Sequence, residues 1–218
     1  MIVGMRWGTL LLLWGALAGG CAAPAKPVKY AGDVGGQPSI ETLPSLDVAD
    51  SELTPEMRMA RLLSAETLEL PPPQRPTDRA GQALSAWSEG EFKRWLTHKQ
   101  ERADAARAEL DRAALQNHRQ RIMAGALVGL IYEDIARTLL TVPAPSELDS
   151  EPEISAAFQE LLLKQAEPYL MQARLAYAAC AGNAQGMSSL GHWVDFCSSR
   201  RHALPANEAP GDGVEVIV

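Results

Sequence analysis

Aromatic residues are scarce in this chain of 218 residues, at 6% of the total, and valine and isoleucine are sparse away from its ends. A core must therefore be built largely from leucine and alanine, which favours helices over a sheet. No C-x-x-C, H-E-x-x-H, phosphate-binding loop or G-x-S-x-G occurs, so no spacing announces a metal site or an activated nucleophile. No apolar run reaches the roughly 20 residues that a membrane-spanning helix needs. Positive charge is also short: 20 Lys and Arg stand against 27 Asp and Glu, a net charge of -7. Such a chain is poorly suited to hold nucleic acid by charge, and no nucleic-acid partner is expected.

What is present is a long stretch free of proline, from Ser88 to Val142. Phe92, Leu96, Ala103, Ala106, Leu110, Ala113, Ala124, Val128, Ile131, Ile135 and Leu139 recur mostly three or four apart along it, the period of one helix face. Unbroken, it would be a helix of about 80 Å, although Gln116-Asn117-His118 is a natural place for a bend. Its first half carries a narrow alanine-rich stripe among charges of both signs, Lys99 included. That pattern suits a solvated face or a coiled-coil arm. Its second half, Ile122 to Ile131, is apolar nearly all round and should be buried. Gly125 and Gly129 form a G-x-x-x-G pair there, fit for close approach by another helix. Glu133 and Asp134 follow off the main stripe, and Glu133 can pair with Arg137 across an exposed face.

The flanking elements announce themselves by caps and prolines. Thr54-Pro55-Glu56 starts a helix that must end before Pro71-Pro72-Pro73. A short helix is expected within Asp78 to Trp87. Ser88-x-x-Glu91 and Ser150-x-x-Glu153 read as capping boxes that open the central helix and its antiparallel partner. Pro168 should kink or split that partner, and Gly182-Asn183 should stop it. His192 to Cys197 opens a last short helix, ending before Pro205. The fold class is all-α, a small helical bundle organised around one long helix. The expected organisation is a signal at 1–20, a flexible tether at 21–53, a helical domain at 54–205 and a disordered tail at 206–218.

The N-terminus gives an address. Arg6 is its only charge, Trp7 to Ala18 is apolar or small throughout, and Leu17-Ala18-Gly19-Gly20-Cys21 follows. This resembles the signal peptide and lipobox of bacterial lipoproteins, with small Gly20 before the cysteine and Ala18 where leucine is commonest. The resemblance covers about the first tenth of the chain. It implies cleavage after Gly20 and acylation of Cys21, which would be the chain's contact with the lipid bilayer. Ala22, not aspartate, comes next, which implies the periplasmic face of the outer membrane. Several acyl chains on one cysteine anchor firmly, whereas one alone binds marginally. An ordinary secretory signal, with Cys21 an incidental thiol, is the other reading. With Cys21 set aside, Cys180 and Cys197 remain as an even pair, which suggests one disulfide in an oxidising compartment.

No catalytic or metal site follows from these residues, and no cofactor is expected. His192, Cys197 and His202 are five apart, about 140° around a helix, and cannot all face one metal. Cys197 with His192 as thiol and base is possible in principle, as are Glu133 and Asp134 as paired acids. The expected function is a membrane-anchored, non-catalytic scaffold or accessory subunit of an envelope assembly, meeting a protein partner through the 88–142 helix. The alternatives are a carrier of an apolar ligand in the bundle, with a pocket near Gly125 and Gly129, or an enzyme whose site the sequence does not display.

Overall fold

A computed structural model describes residues 37–45 and 52–205. Cys21, the signal segment and 206–218 lie outside the described residues. Among those described, most residues are helical and there is no strand. The helices are α1 (Pro55–Glu69), α2 (Gly81–Trp87), α3 (Lys93–Ala114), α4 (His118–Leu140), α5 (Pro152–Ala184) and α6 (Gly191–Ala203).

α1 begins as its sequence dictates. Thr54 is extended, its hydroxyl oxygen accepts from the Met57 amide at 3.3 Å, and Pro55 occupies the first turn. The Thr54 hydroxyl also donates to Gln120 at 2.8 Å, which ties the start of α1 to that of α4.

Ser88 does not open a helix. One π-helical turn (Ser88–Phe92) joins α2 to α3 without interruption, and Ser88 is helical itself and donates to the Ser85 carbonyl. Aromatic packing accounts for the wide turn. Trp87 and Phe92, five apart, would lie about 140° apart on an α-helix. The i→i+5 turn brings them to one side, where their rings sit 4.9 Å apart and Phe92 continues to Trp95 at 5.5 Å.

The expected 80 Å helix is likewise two helices. Asn117 is extended and its side chain accepts from the Gln120 amide at 2.9 Å, so it caps a new element. α4 then runs back antiparallel to α3: Arg121 reaches the Ala114 carbonyl near the turn, and Lys99 reaches Asp134 near the far end. The apolar half gains more by burial between α3 and α5 than by projecting into solvent. Ile122, Leu127, Leu130, Ile131 and Ile135 are all buried.

α5 forms the most extensive contact with α4. It starts at Pro152 after Glu151, with no side-chain cap, because Ser146–Ser150 is a 3₁₀ turn instead of the lead-in to a capping box. That turn is held from outside: the Ser146 amide donates to the Arg79 carbonyl, Arg79 pairs with Asp149, and the Gly81 amide donates to Glu147. The Glu147 carboxylate thereby caps α2 from across the chain, and the Gly81 N–H holds it below the usual carboxyl range. α5 is not split at Pro168. Pro168 and Lys164, whose carbonyl loses its partner, are both exposed, so water can replace the missing bond. Nor does α5 stop at Gly182-Asn183; it runs on to Ala184, and Gly186 takes the left-handed conformation at φ 83°.

Part of the 21–53 stretch expected to be a flexible tether is packed against the domain. Ile40 and Leu43, three apart around the 3₁₀ turn Ile40–Thr42, rest on the core, and the Ser45 carbonyl accepts from the Trp193 indole at 2.9 Å.

Gly125 and Gly129 do what their spacing suggests. A Cβ on Gly129 would lie 2.5 Å from the Tyr177 ring, and one on Gly125 would lie 3.1 Å from the Ala176 carbonyl and 3.2 Å from the Cys180 Cβ. Gly129→Ala should therefore lower stability by about 1–3 kcal/mol through overpacking. Gly182→Ala, whose Cβ would meet nothing, should raise it by about 0.5–1 kcal/mol. Urea unfolding of the two variants would check both signs.

Candidate functional site

The ionisable residues that could carry chemistry converge on α4, and the structure places them differently from their sequence pattern. Glu133 is not on an exposed face: it is 1% exposed. One carboxylate oxygen accepts from Arg137 Nε at 3.0 Å. The other accepts from the Tyr177 hydroxyl at 2.6 Å and pairs with Arg200 Nε at 3.3 Å. Glu133 thus joins α4 to α5 and α6. The signal was available: Gly125, Gly129 and Glu133 are four apart and share the row that meets α5.

Asp134 faces the other way, toward α3. Its carboxylate lies 2.7 Å from Lys99 Nζ, and the Lys99 side chain is wholly buried. Lys99 was expected among the solvated charges, yet it occupies the stripe register between Leu96 and Ala103. Its ammonium also donates to the Thr67 carbonyl and approaches those of Leu68 and Leu70, at 3.5 and 3.4 Å. A cation therefore sits on the last carbonyls of α1, where the helix dipole favours it. Trp95 covers it, with its ring centroid 5.7 Å away.

Burial shifts one titrating group in each cluster. Burial, reinforced by the Glu133 carboxylate, pushes the Tyr177 phenol well above its ordinary range, so it remains a donor. Burial also raises the Asp134 carboxyl, although Lys99 opposes the shift. The two groups do not form a pair of acids, since each engages a different cation on a different side of α4.

The remaining residues singled out in the sequence are separated. Cys180 and Cys197 are bonded, with their Cα atoms 6.2 Å apart, and they staple α6 to α5. Cys197 is thereby withdrawn as a nucleophile. His192 faces the Ser45 carbonyl at 2.8 Å, His202 the Ser198 carbonyl, and His118 the Asn183 carbonyl. Among the described residues no three His, Cys, Asp or Glu side chains are grouped to hold a metal, and no helix is long and apolar enough to cross a membrane. Cys21 lies outside the described residues.

No protein-family model matches the chain, and no curated protein or solved structure matches it either.

Three outcomes follow from this geometry. Asp134→Ala should lower stability by about 3 kcal/mol by leaving Lys99 buried without its counter-charge, and Lys99→Met in the same chain should recover most of that. Chemical denaturation of the single and double variants measures it. Because the native Asp134 carboxyl is raised, its titration favours the fold most below about pH 4 and progressively less as pH rises through the native pKa. Asp134→Asn should remove that component from the stability–pH curve. Replacing Cys180 and Cys197 by serine should cost about 3 kcal/mol on the chain-entropy model, visible as a lower thermal midpoint.

Proposed function

We propose that this chain is a bacterial lipoprotein, anchored through acylated Cys21 on the periplasmic face of the outer membrane. Its helical domain serves there as a non-catalytic scaffold or accessory subunit of a protein assembly. The observation that carries the domain's role is an outward apolar row on α5. Ile154, Leu161, Met171 and Leu175 are exposed, Ile154 by 54% and Leu175 by 60%. Ile154 to Leu161 is one heptad and Leu161 to Leu175 is two, with exposed Pro168 at the position between them and Met171 four residues before Leu175. This is the spacing of a seam that a second helix fills.

The reading shifts the contact surface from where the sequence pointed. Within 88–142, α4 is enclosed, so only the charged outer face of α3 remains for a partner. α5 offers both length and apolar side chains, and the fitting occupant is an envelope protein presenting an amphipathic helix. The disulfide, which suits an oxidising compartment, and the lipobox-like segment support the location. The carrier alternative loses ground, because Tyr177 and Cys180 fill the notch at Gly125 and Gly129 where a ligand was expected to lodge.

Cross-linking and pull-down from gently solubilised envelopes should recover a stoichiometric partner with the native chain. Leu161→Glu/Leu175→Glu should lose that partner, and the cross-links should map to α5. Recovery unaffected by these changes would move the interface elsewhere, and absence of any partner would end the scaffold reading. Cys21→Ser tests the anchor separately: the variant should leave the membrane fraction.

A further inference from the structure

A second feature lies away from α5 and does not depend on the scaffold reading. Between the extended segment 74–77 and the α2–α3 helix there is an open cleft of about 620 Å³. Arg75 and Arg94 both line it, together with Trp87 and Gly90. Nearly every other arginine among the described residues has a partner. Arg58 and Arg121 reach backbone carbonyls, and Arg79, Arg102, Arg112 and Arg174 reach carboxylates. Arg75 and Arg94 have neither, and apart from these two only Arg201 shares that condition. Two of the three unpaired guanidiniums therefore border one cleft. Glu91 also lines it, which leaves a net charge of +1 in a chain of net charge -7.

The cleft floor bears two further marks. A Cβ on Gly90 would meet nothing within 4 Å, so no internal packing requires glycine at this position. Glycine inside a helix is costly, and here its effect is to keep the floor open. Trp87, 9% exposed, forms part of the wall, and its indole N–H is buried without an acceptor. A buried donor without a partner is costly, and this one belongs to a residue that lines the cleft. The π turn that positions both residues is a local irregularity often found at functional sites.

We infer that this cleft is a binding site for a phosphate group, held by the forked donors of Arg75 and Arg94, with Trp87 beside them in the lining. Paired guanidiniums recognise phosphate oxygens through charge-assisted, often bidentate, hydrogen bonds. The phosphate could be free or borne on a small solute, or it could be the headgroup of an anionic lipid, and the experiment separates these sources.

The test uses the full chain, labelled with ¹⁵N-tryptophan and held in non-ionic detergent, with the Trp87 indole resonance assigned through Trp87→Phe. Inorganic phosphate is titrated in one arm and dihexanoylphosphatidic acid in a second, with dihexanoylphosphatidylcholine as the zwitterionic control. A saturable shift with inorganic phosphate assigns the site to free or solute phosphate. A shift with phosphatidic acid alone assigns it to a lipid headgroup. In either case Arg75→Gln and Arg94→Gln should each weaken binding about tenfold or more, Gly90→Leu should block the floor, and Arg201→Gln should change nothing. Both cleft arginines are exposed, so an unaltered thermal midpoint verifies that their variants fold. No shift with either probe, or a shift indifferent to Arg75 and Arg94, would overturn the assignment.

Discussion

The packing of Tyr177 against bare backbone at Gly129 sets the geometry of this domain. Because no side chain intervenes, α5 approaches α4 closely enough for Cys180 to reach Gly125 one turn away. The Tyr177 hydroxyl then meets Glu133 at 2.6 Å. From Glu133 the arrangement passes to Arg200 on α6, which the Cys180–Cys197 bond holds in place. One close approach thus fixes the separation of two helices, the register between them and the seat of a third. Apolar burial supplies most of the driving force for folding, but it is indifferent to a slide of one turn. A ring fitted to a glycine is not.

The ionic groups inside the bundle act in the same sense. Taking Glu133, Arg200, Lys99 and Asp134 out of water is expensive, and well-packed apolar residues often do as well for stability. What these groups add is a requirement for particular neighbours. Lys99 is satisfied only when the end of α1 and the Asp134 side of α4 both surround it. Glu133 is satisfied only when α5 and α6 are both docked. Adjacent residues on α4 thus bind opposite flanks of the bundle, and α4 becomes the element against which the other helices are aligned.

Much of the architecture was legible in the sequence. Leucine- and alanine-rich periodicity gave the helical class, Thr54-Pro55 gave a true helix start, the glycine pair gave a close contact, and cysteine parity gave the bond between α5 and α6. The failures have physical causes. Ser88 and Ser150 have the residues of a capping box, but a box forms only where the backbone turns extended. At Ser88 the Trp87–Phe92–Trp95 packing keeps it helical, and at Ser150 contacts from Arg79 and Gly81 shape the turn. The 88–142 stretch lacks proline, yet Asn117 breaks it, because burying both halves of a hairpin gains more than extending one rod. Lys99 and Glu133 were assigned to solvent by charge, although their register placed both on packed faces. The cleft at Trp87 was not legible at all. Its two arginines are nineteen positions apart, and only the path of the proline-rich segment brings them together.

The strap at 37–45 gives the lipid-anchor reading a mechanical dimension. If the chain is held at Cys21, the reach from that point to Gln37 is at most about 55 Å, which keeps the domain close to the surface that bears it. Tension on this leash would fall first on the contacts of Ile40 and Leu43, and then on the bond from Trp193 to the Ser45 carbonyl. Load applied in this way peels contacts one after another instead of shearing them together. Release through Ser45 would pay out roughly 30 Å more and leave the disulfide-braced helices intact. In a chain anchored at Cys21, the docked strap would therefore be a reserve of length, released before any part of the core is strained.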